Sequence, residues 1–359
     1  MTRFQKFNRK LHHWLGITCG LIASFSGLTG SMYVWQPEIS AFLNSDLLEI
    51  QQKEEFDKSW LLNTVKSLIE ERGGEISQIH LPYREQQTIS IDYKDGKTEY
   101  FHPYSGTYLG EKSNSIKFFE KLLIYHRTLG IADYGKYIIG TSALIFVFLL
   151  LMSGLKIWWD IYGKKVSNGF KLKCNSPKRL FNYDLHKVLG IFFILPLGFM
   201  AFSGAYFTFN SSYKEVMQVF DLPKKVNQNY VDHSLTSYHS IGEYLAHYDE
   251  TYFIRAIYFP VDGNGKYKIR LIERREIQTG LRKTKEMELH QNGSVLTLSD
   301  FPNDPLSLQM AGQFYPIHIG EIGGIVGRFL VFISGFIPLV LLVSGWKIHK
   351  SKNREWIFH

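Results

Sequence analysis

The sequence predicts an α-helical membrane protein with four transmembrane helices, arranged as two parallel span–domain–span repeats. Three observations carry that expectation: four long apolar stretches, a one-sided distribution of Lys and Arg, and a likeness between the first and second halves of the chain. The 359 residues are 45% hydrophobic and 15% aromatic, and a mean hydropathy of -0.12 conceals strong segregation. Stretches at about 12–35, 137–159, 187–209 and 325–348 each reach the roughly 20 apolar residues that cross about 30 Å of hydrocarbon.

In chain order, residues 1–36 hold a basic N-terminus and the first span. That span is too long for a signal-peptide apolar region of about 7–15 residues and lacks a small-x-small cleavage pattern, so a retained anchor is expected. Residues 37–115 read as a first extracytoplasmic α+β domain. "SWLLNTVKSLIEER" (59–72) has helical character, while "ISQIHLP", "TISIDYKDGKTEYFHP" and "SGTYLGE" read as strands, with Asp95-Gly96 as a hairpin turn. Residues 116–160 hold an outer amphipathic segment and the second span, 161–185 a basic loop, and 186–210 the third span. Residues 211–317 read as a second α+β domain, in which "SIGEYLAHY" precedes the strands of "FIRAIYFPVDGNGKYKIRLIE" and "EMELHQNGSVLTLS". Residues 318–359 hold the fourth span and a tail.

Orientation follows from the basic residues near the helix ends. Arg3, Lys6, Arg9 and Lys10 precede the first span, and Lys164, Lys165, Lys171, Lys173, Lys178 and Arg179 join the second to the third. Lys347, Lys350, Lys352 and Arg354 follow at the C-terminus. All three groups belong on the cytoplasmic side, which puts both termini there and the long segments, about 36–125 and 210–318, outside. The formal net charge of +8 is therefore a topology signal, and no nucleic-acid partner is expected. Cys19 lies in a span and Cys174 in the cytoplasmic loop, so no disulfide staples either outside domain.

The internal likeness is specific. "LHHWLG" (11–16) resembles "LHKVLG" (185–190), an offset that also lays Thr29-Gly30 on Ser203-Gly204. "LLLMSGLKIWW" (149–159) resembles "VLLVSGWKIHK" (340–350). The halves start from the same side, so their pseudo-twofold axis runs along the membrane normal.

That axis organises the histidines. His80, His102, His233, His239, His247, His290 and His359 lie in polar segments or at the terminus and read as ordinary surface or structural residues. His12, His13 and His186 stand at the cytoplasmic entries of spans one and three, His349 at the exit of span four, and His126 and His318 just outside spans two and four. Ionisable groups at membrane depth are costly and point to function, although interfacial anchoring is the plain alternative. The repeat brings His12 towards His186 and His126 towards His318, once per leaflet. Two imidazoles facing each other suit haem, whose iron takes axial ligands from opposite sides. Gly16, Gly20, Gly27, Gly30, Gly190, Gly198 and Gly204 remove side chains where a flat ring could approach, or equally allow tight helix packing. Arg127 and Arg328 stand ready to pair with haem propionates or to act as snorkelling anchors. No CxxC, HExxH, phosphate loop, dinucleotide fingerprint or GxSxG elbow is present, so electrons would come from a partner or a diffusing donor.

"KLHHWLGITCGLIASFSGLTGSMYVW", "YHRTLGIADYGKYIIGTSALIFVFLLLMSGLKIWWD", "DLHKVLG" and "IHIGEIGGIVGRFLVFISGFIPLVLLVSGWKI" resemble the membrane segments of PepSY-associated transmembrane proteins, and "YFHPYSGTYLGE" (100–111) resembles the end of a PepSY domain. "ELHQNGSVLTL" resembles a worn second copy, so both outside domains are expected to be PepSY-like. The family includes bacterial inner-membrane siderophore reductases with two b-type haems. The resemblance therefore implies an inner-membrane oxidoreductase that passes electrons from a cytoplasmic or quinol donor to a ferric siderophore or other Fe(III) chelate, held between the outside domains. It supports His12, His186, His126 and His318 as axial ligands and leaves His13 and His349 open as alternative ligands of the inner haem. The basic stretch "RLIERREIQTGLRKTK" (270–285) reads as a solvated hairpin or as a contact for an anionic chelate. A membrane-anchored binding or inhibitory module and a permease are the competing functions.

Overall fold

A computed structural model describes residues 1–50, 57–175, 177–221, 240–248, 251–260 and 265–355. His233, His239 and His359 lie outside the described residues, as does the side chain of Arg354. The chain divides into two compact units: Met1–Val34, Glu120–Tyr213 and Phe314–His359 make a helical unit, and Trp35–Phe119 with Lys214–Gln313 make a sheet unit.

Among the described residues, three helices of the first unit are long and apolar enough to cross a membrane: Arg3–Val34, Gly135–Tyr162 and Glu321–Lys350, the last within a helical stretch that runs on as Gly324–Glu355. The 32 residues of Arg3–Val34 extend for about 48 Å, more than the hydrocarbon requires. The expected third span departs from a single helix. Lys178–Phe192 and Ile194–Tyr206 meet at a 60° bend, and they reach spanning length only as one bent pair. Pro196 explains the bend, because it has no N–H for the Phe192 carbonyl and its ring crowds that carbonyl. The Gly135–Tyr162 helix widens into a π-helical segment at Phe146–Leu151. Cys19, Phe146, Leu150, Leu197 and Ile337 form the apolar centre of this unit.

The Arg3–Val34 and Gly324–Glu355 helices touch backbone to backbone. A methyl group on Gly27 would sit at 2.3 Å from the Gly335 carbonyl oxygen, so no side chain fits at either position. Ser31 Oγ donates to the Phe332 carbonyl at 2.7 Å across the same seam. Small residues here drive helix association, which answers the packing-or-cofactor question for Gly27 in favour of packing.

In the sheet unit, the expected elements appear in order. Asp57 caps the Lys58–Arg72 helix by accepting from the Trp60 N–H at 3.0 Å. The strands β1 (Ile76–His80), β2 (Ile89–Tyr93), β3 (Thr98–Phe101) and β4 (Tyr108–Glu111) follow. Gly96, at φ 87, makes the β2–β3 turn. A short helix, Ile241–Ala246, then precedes β5 (Phe253–Tyr258), β6 (Lys266–Ile272), β7 (Thr284–His290) and β8 (Val295–Asp300). The 270–285 stretch is the β6–β7 connection with its flanking strand ends.

The sequence reading of two separate α+β domains needs correction. The strands form one antiparallel sheet in the order β4-β3-β2-β1-β5-β6-β7-β8. The halves join where β1 pairs with β5, through Gln78 opposite Tyr258, Ile79 opposite Ile257 and His80 opposite Ala256. Each four-stranded half would otherwise leave its first strand as an unpaired edge, and pairing the two removes both edges. One apolar core results, in which Val65 and Leu68 pack with Ile79, Ile91, Ile257 and Ile269.

Asp92 on β2 faces a polar cluster. Burial alone would raise its carboxyl, but hydrogen bonds from His80, Thr98 and Gln78 outweigh that and bring it down from 3.8 to about 2. A depressed carboxylate contributes stability that is present above its unfolded value and lost as pH falls through its folded value. Melting of the full chain should therefore drop between about pH 4 and pH 2, and an Asp92→Asn variant should drop less over that window. Equal acid sensitivity in the two proteins would contradict the assignment.

Candidate functional site

The helical unit collects its histidines into three pairs. His12 and His186 face each other with ring centroids 6.2 Å apart and planes at 88°. His126, in the last turn of the Asn114–Thr128 helix, faces His318, the last residue of Leu306–His318, at 6.0 Å and 48°. His13 stacks instead on His349, at 4.2 Å and 24°.

The four residues of the two facing pairs are held in one way. His12 Nδ1 lies 3.2 Å from the Leu150 carbonyl and 3.1 Å from Ser153 Oγ. His186 Nδ1 lies 3.0 Å from both the Leu341 carbonyl and Ser344 Oγ. His126 Nδ1 meets the Ser26 carbonyl at 2.9 Å and Thr29 Oγ1 at 3.2 Å. His318 Nδ1 meets the Met200 carbonyl at 2.9 Å and Ser203 Oγ at 3.2 Å. In each case the carbonyl residue is followed three positions later by the hydroxyl and four positions later by glycine: Gly154, Gly345, Gly30 and Gly204. A methyl group on those glycines would lie 2.9, 3.3, 2.9 and 3.0 Å from the imidazole Cε1. Positions i, i+3 and i+4 share one helix face, so carbonyl, hydroxyl and gap form a single cradle.

The cradle fixes the tautomer. A carbonyl only accepts, so Nδ1 carries the proton and Nε2 keeps its lone pair. This is how metal-binding imidazoles are oriented, with the far N–H held by a main-chain oxygen. Each pair thus brings together two imidazoles of the same tautomer, their ring centres 6.2 and 6.0 Å apart. Among the described residues no group of three or more His, Cys, Asp or Glu converges on one point, which argues against a closed tetrahedral zinc site there.

A largely apolar cavity of about 320 Å³ opens at His12 and His186, within the range of small-molecule sites. Gly16, Gly20 and Gly190 line it, and a methyl group on any of them would meet nothing closer than 3.6 Å. The seven glycines named from the sequence therefore take different parts: Gly16, Gly20 and Gly190 line the cavity, Gly30 and Gly204 cradle imidazoles, Gly27 makes the seam, and Gly198 takes an ordinary contact with Leu151. Ser26, which holds His126, lies 14 residues beyond His12 on one helix, so the two sites are about 21 Å apart along it.

The expected arginines differ from each other. Arg127 is exposed, beside His126. Arg328 is only 2% exposed and its Nη2 donates to the Val34 carbonyl at 2.6 Å, which excludes a snorkelling anchor and makes it a brace for the end of the first long helix. The hydroxyl–glycine cradles were within reach of the sequence, since the repeat lays Thr29-Gly30 on Ser203-Gly204 and Ser153-Gly154 on Ser344-Gly345. Their pairing with histidines was not, because it is made across helices.

Residues 9–352 match the model of a protein family described as the PepSY-associated TM region, and the chain belongs to that family. No curated protein matches the sequence significantly.

Replacing Arg328 with Met should leave the Val34 carbonyl short of a donor and lower stability by about 1–3 kcal/mol. Arg127→Ala should change it by less than about 0.5 kcal/mol. Thermal melting of both variants in detergent checks the contrast.

Proposed function

We propose that this member of the PepSY-associated transmembrane family is a haem-dependent reductase of the bacterial inner membrane, one that delivers electrons to a ferric siderophore or similar Fe(III) chelate on the outer side. The observation that carries this reading is the pair of imidazole pairs, each about 6 Å between ring centres, with every Nδ1 held by a carbonyl. Two imidazoles brought together, each with its far N–H held by a main-chain oxygen, are the kind of donor set that would hold a haem iron. The glycine-walled cavity at His12 and His186 suits a flat macrocycle.

A b-type haem in each pair supplies a one-electron carrier. The chain's own residues do the rest. His12 and His186 hold the site nearer the cytoplasm, where a cytoplasmic or quinol-level donor has access, and His126 and His318 hold the outer one. The carbonyl and hydroxyl acceptors fix ring orientation and raise ligand basicity. Apolar side chains keep water from the metal and hold the local dielectric low, which sets the potential. At the outer side the substrate gains one electron, Fe(III) becoming Fe(II), and the hard-oxygen chelate loosens its hold. The positive-inside distribution supports the orientation. The facing of His12 and His186 supports them as the inner ligands, with His13 and His349, stacked on each other, as the alternatives.

Protein purified from haem-replete cells should be red, with a Soret band and the split reduced bands of six-coordinate haem. A colourless preparation would overturn the reductase and favour a membrane-anchored binding module. His126→Ala and His318→Ala should each remove one haem of two by pyridine haemochrome assay, and His12→Ala and His186→Ala the other. Haem loss on His349→Ala with none on His12→Ala would reassign the inner pair.

A further inference from the structure

The cavity at His12 and His186 has a polar rim that its imidazoles do not explain. Among its lining residues, a guanidinium, ammonium or hydroxyl is carried by Arg9, Tyr162, Tyr183 and Lys187. Two of these hold equivalent places, because the offset of 174 that lays His12 on His186 also lays Arg9 on Tyr183. Each stands three residues before its histidine, on the same helix face and about 4.5 Å nearer the helix N-terminus. Helical side chains lean further that way, so both tips lie beyond the imidazoles at one end of the cavity. Arg9 and Tyr183 are close enough to act on each other electrostatically.

The four groups differ in what they can offer a ligand. Lys187 is committed: its Nζ meets Asp184 Oδ1 at 2.8 Å and donates to the Lys171 and Asn168 carbonyls at 3.0 and 3.3 Å, which uses all three of its protons. The Tyr162 and Tyr183 hydroxyls lie 3.5 Å apart, and whichever donates to the other, one proton of the two is left for a further acceptor. Both tyrosines are half-buried, and Arg9 is exposed. The carboxylate that acts on Arg9 is Asp160, which is already paired with Lys156 on its own helix and receives the Gln5 amide at 3.4 Å. A guanidinium fork beside a phenol proton suits the planar two-oxygen edge of a carboxylate.

We infer that Arg9 and Tyr183, supported by Tyr162, form a carboxylate-binding rim that holds the propionates of the inner haem. The inference rests on the reductase reading for the haem itself. A porphyrin that carries its carboxylates on one edge enters an apolar cavity with that edge towards the donors, since an unpaired buried carboxylate is costly. Arg9 also offsets the charge of that edge. Ferric iron carries one positive charge more than ferrous, so carboxylates left without a cation favour the ferric state and lower the potential.

The test combines haem transfer from the purified holoprotein to excess apomyoglobin with a spectroelectrochemical titration, the inner haem being the phase missing in His12→Ala. Arg9→Gln should lose the inner haem about tenfold faster than the parent and lower its midpoint potential, and Tyr183→Phe should speed the loss by a smaller factor. Arg9→Lys keeps the charge but loses the fork, and should fall between Arg9→Gln and the parent. Lys10→Gln removes a neighbouring cation that does not line the cavity, and should match the parent. Protein reconstituted with haem dimethyl ester, whose propionates are blocked, should lose it at one fast rate with or without Arg9. Equal loss and equal potential in the parent and Arg9→Gln overturn the rim, as does an Arg9 effect undiminished with the ester. Red protein with arginine-independent haem loss overturns the rim alone, whereas colourless protein overturns the rim and the reductase reading together.

Discussion

A neutral imidazole buried among apolar helices needs an acceptor for its N–H, and the helix backbone has few to offer. Every interior carbonyl already accepts from the N–H four residues on, so a second donor must use its other lone pair. Ordinary side chains at i+4 stand in the way. Glycine at that position opens the approach, and a serine or threonine at i+3 adds a second oxygen. All four facing histidines depend on this local arrangement, and through them so does the chemistry proposed for the protein.

The two inner cradles lie beside different distortions of the helix. The carbonyl that holds His12 belongs to Leu150, inside the π-helical segment, where the ladder is widened. The corresponding carbonyl for His186 belongs to Leu341, three residues beyond Pro338, which itself removes a ladder donor. Different local irregularities thus occupy equivalent positions of the repeat, in keeping with the habit of π-bulges to collect at functional sites. The pair Lys178–Phe192 and Ile194–Tyr206 breaks at Phe193, whereas its counterpart in the repeat runs unbroken from Arg3 to Val34.

Much of this was legible in the sequence wherever signal is local or repeated. The apolar stretches placed the membrane helices, the period-two segments placed the strands, and the offset between the halves paired His12 with His186 and His126 with His318. Features that depend on contact between distant segments were not legible. The bend at Phe193 needed the local effect of Pro196 to be weighed against an otherwise continuous apolar run. The joining of β1 to β5 depends on two strand edges meeting, and neither edge carries a mark of its own. Arg328 reads as a propionate partner or an anchor by its place near a span end, yet its guanidinium is buried against Val34.

The shared sheet also bears on how the protein is made. β1 ends at His80 and its partner β5 begins at Phe253, with the Gly135–Tyr162 helix and the bent pair Lys178–Phe192 and Ile194–Tyr206 between them in the chain. During synthesis the first four strands are made while β1 still presents a bare edge, and closure waits until the intervening helices and the last four strands have followed. An unpaired edge held for that long is the kind of surface on which extended segments of other chains can add. Biogenesis of this protein therefore places its demand on holding the first four strands apart from their neighbours until the last four arrive.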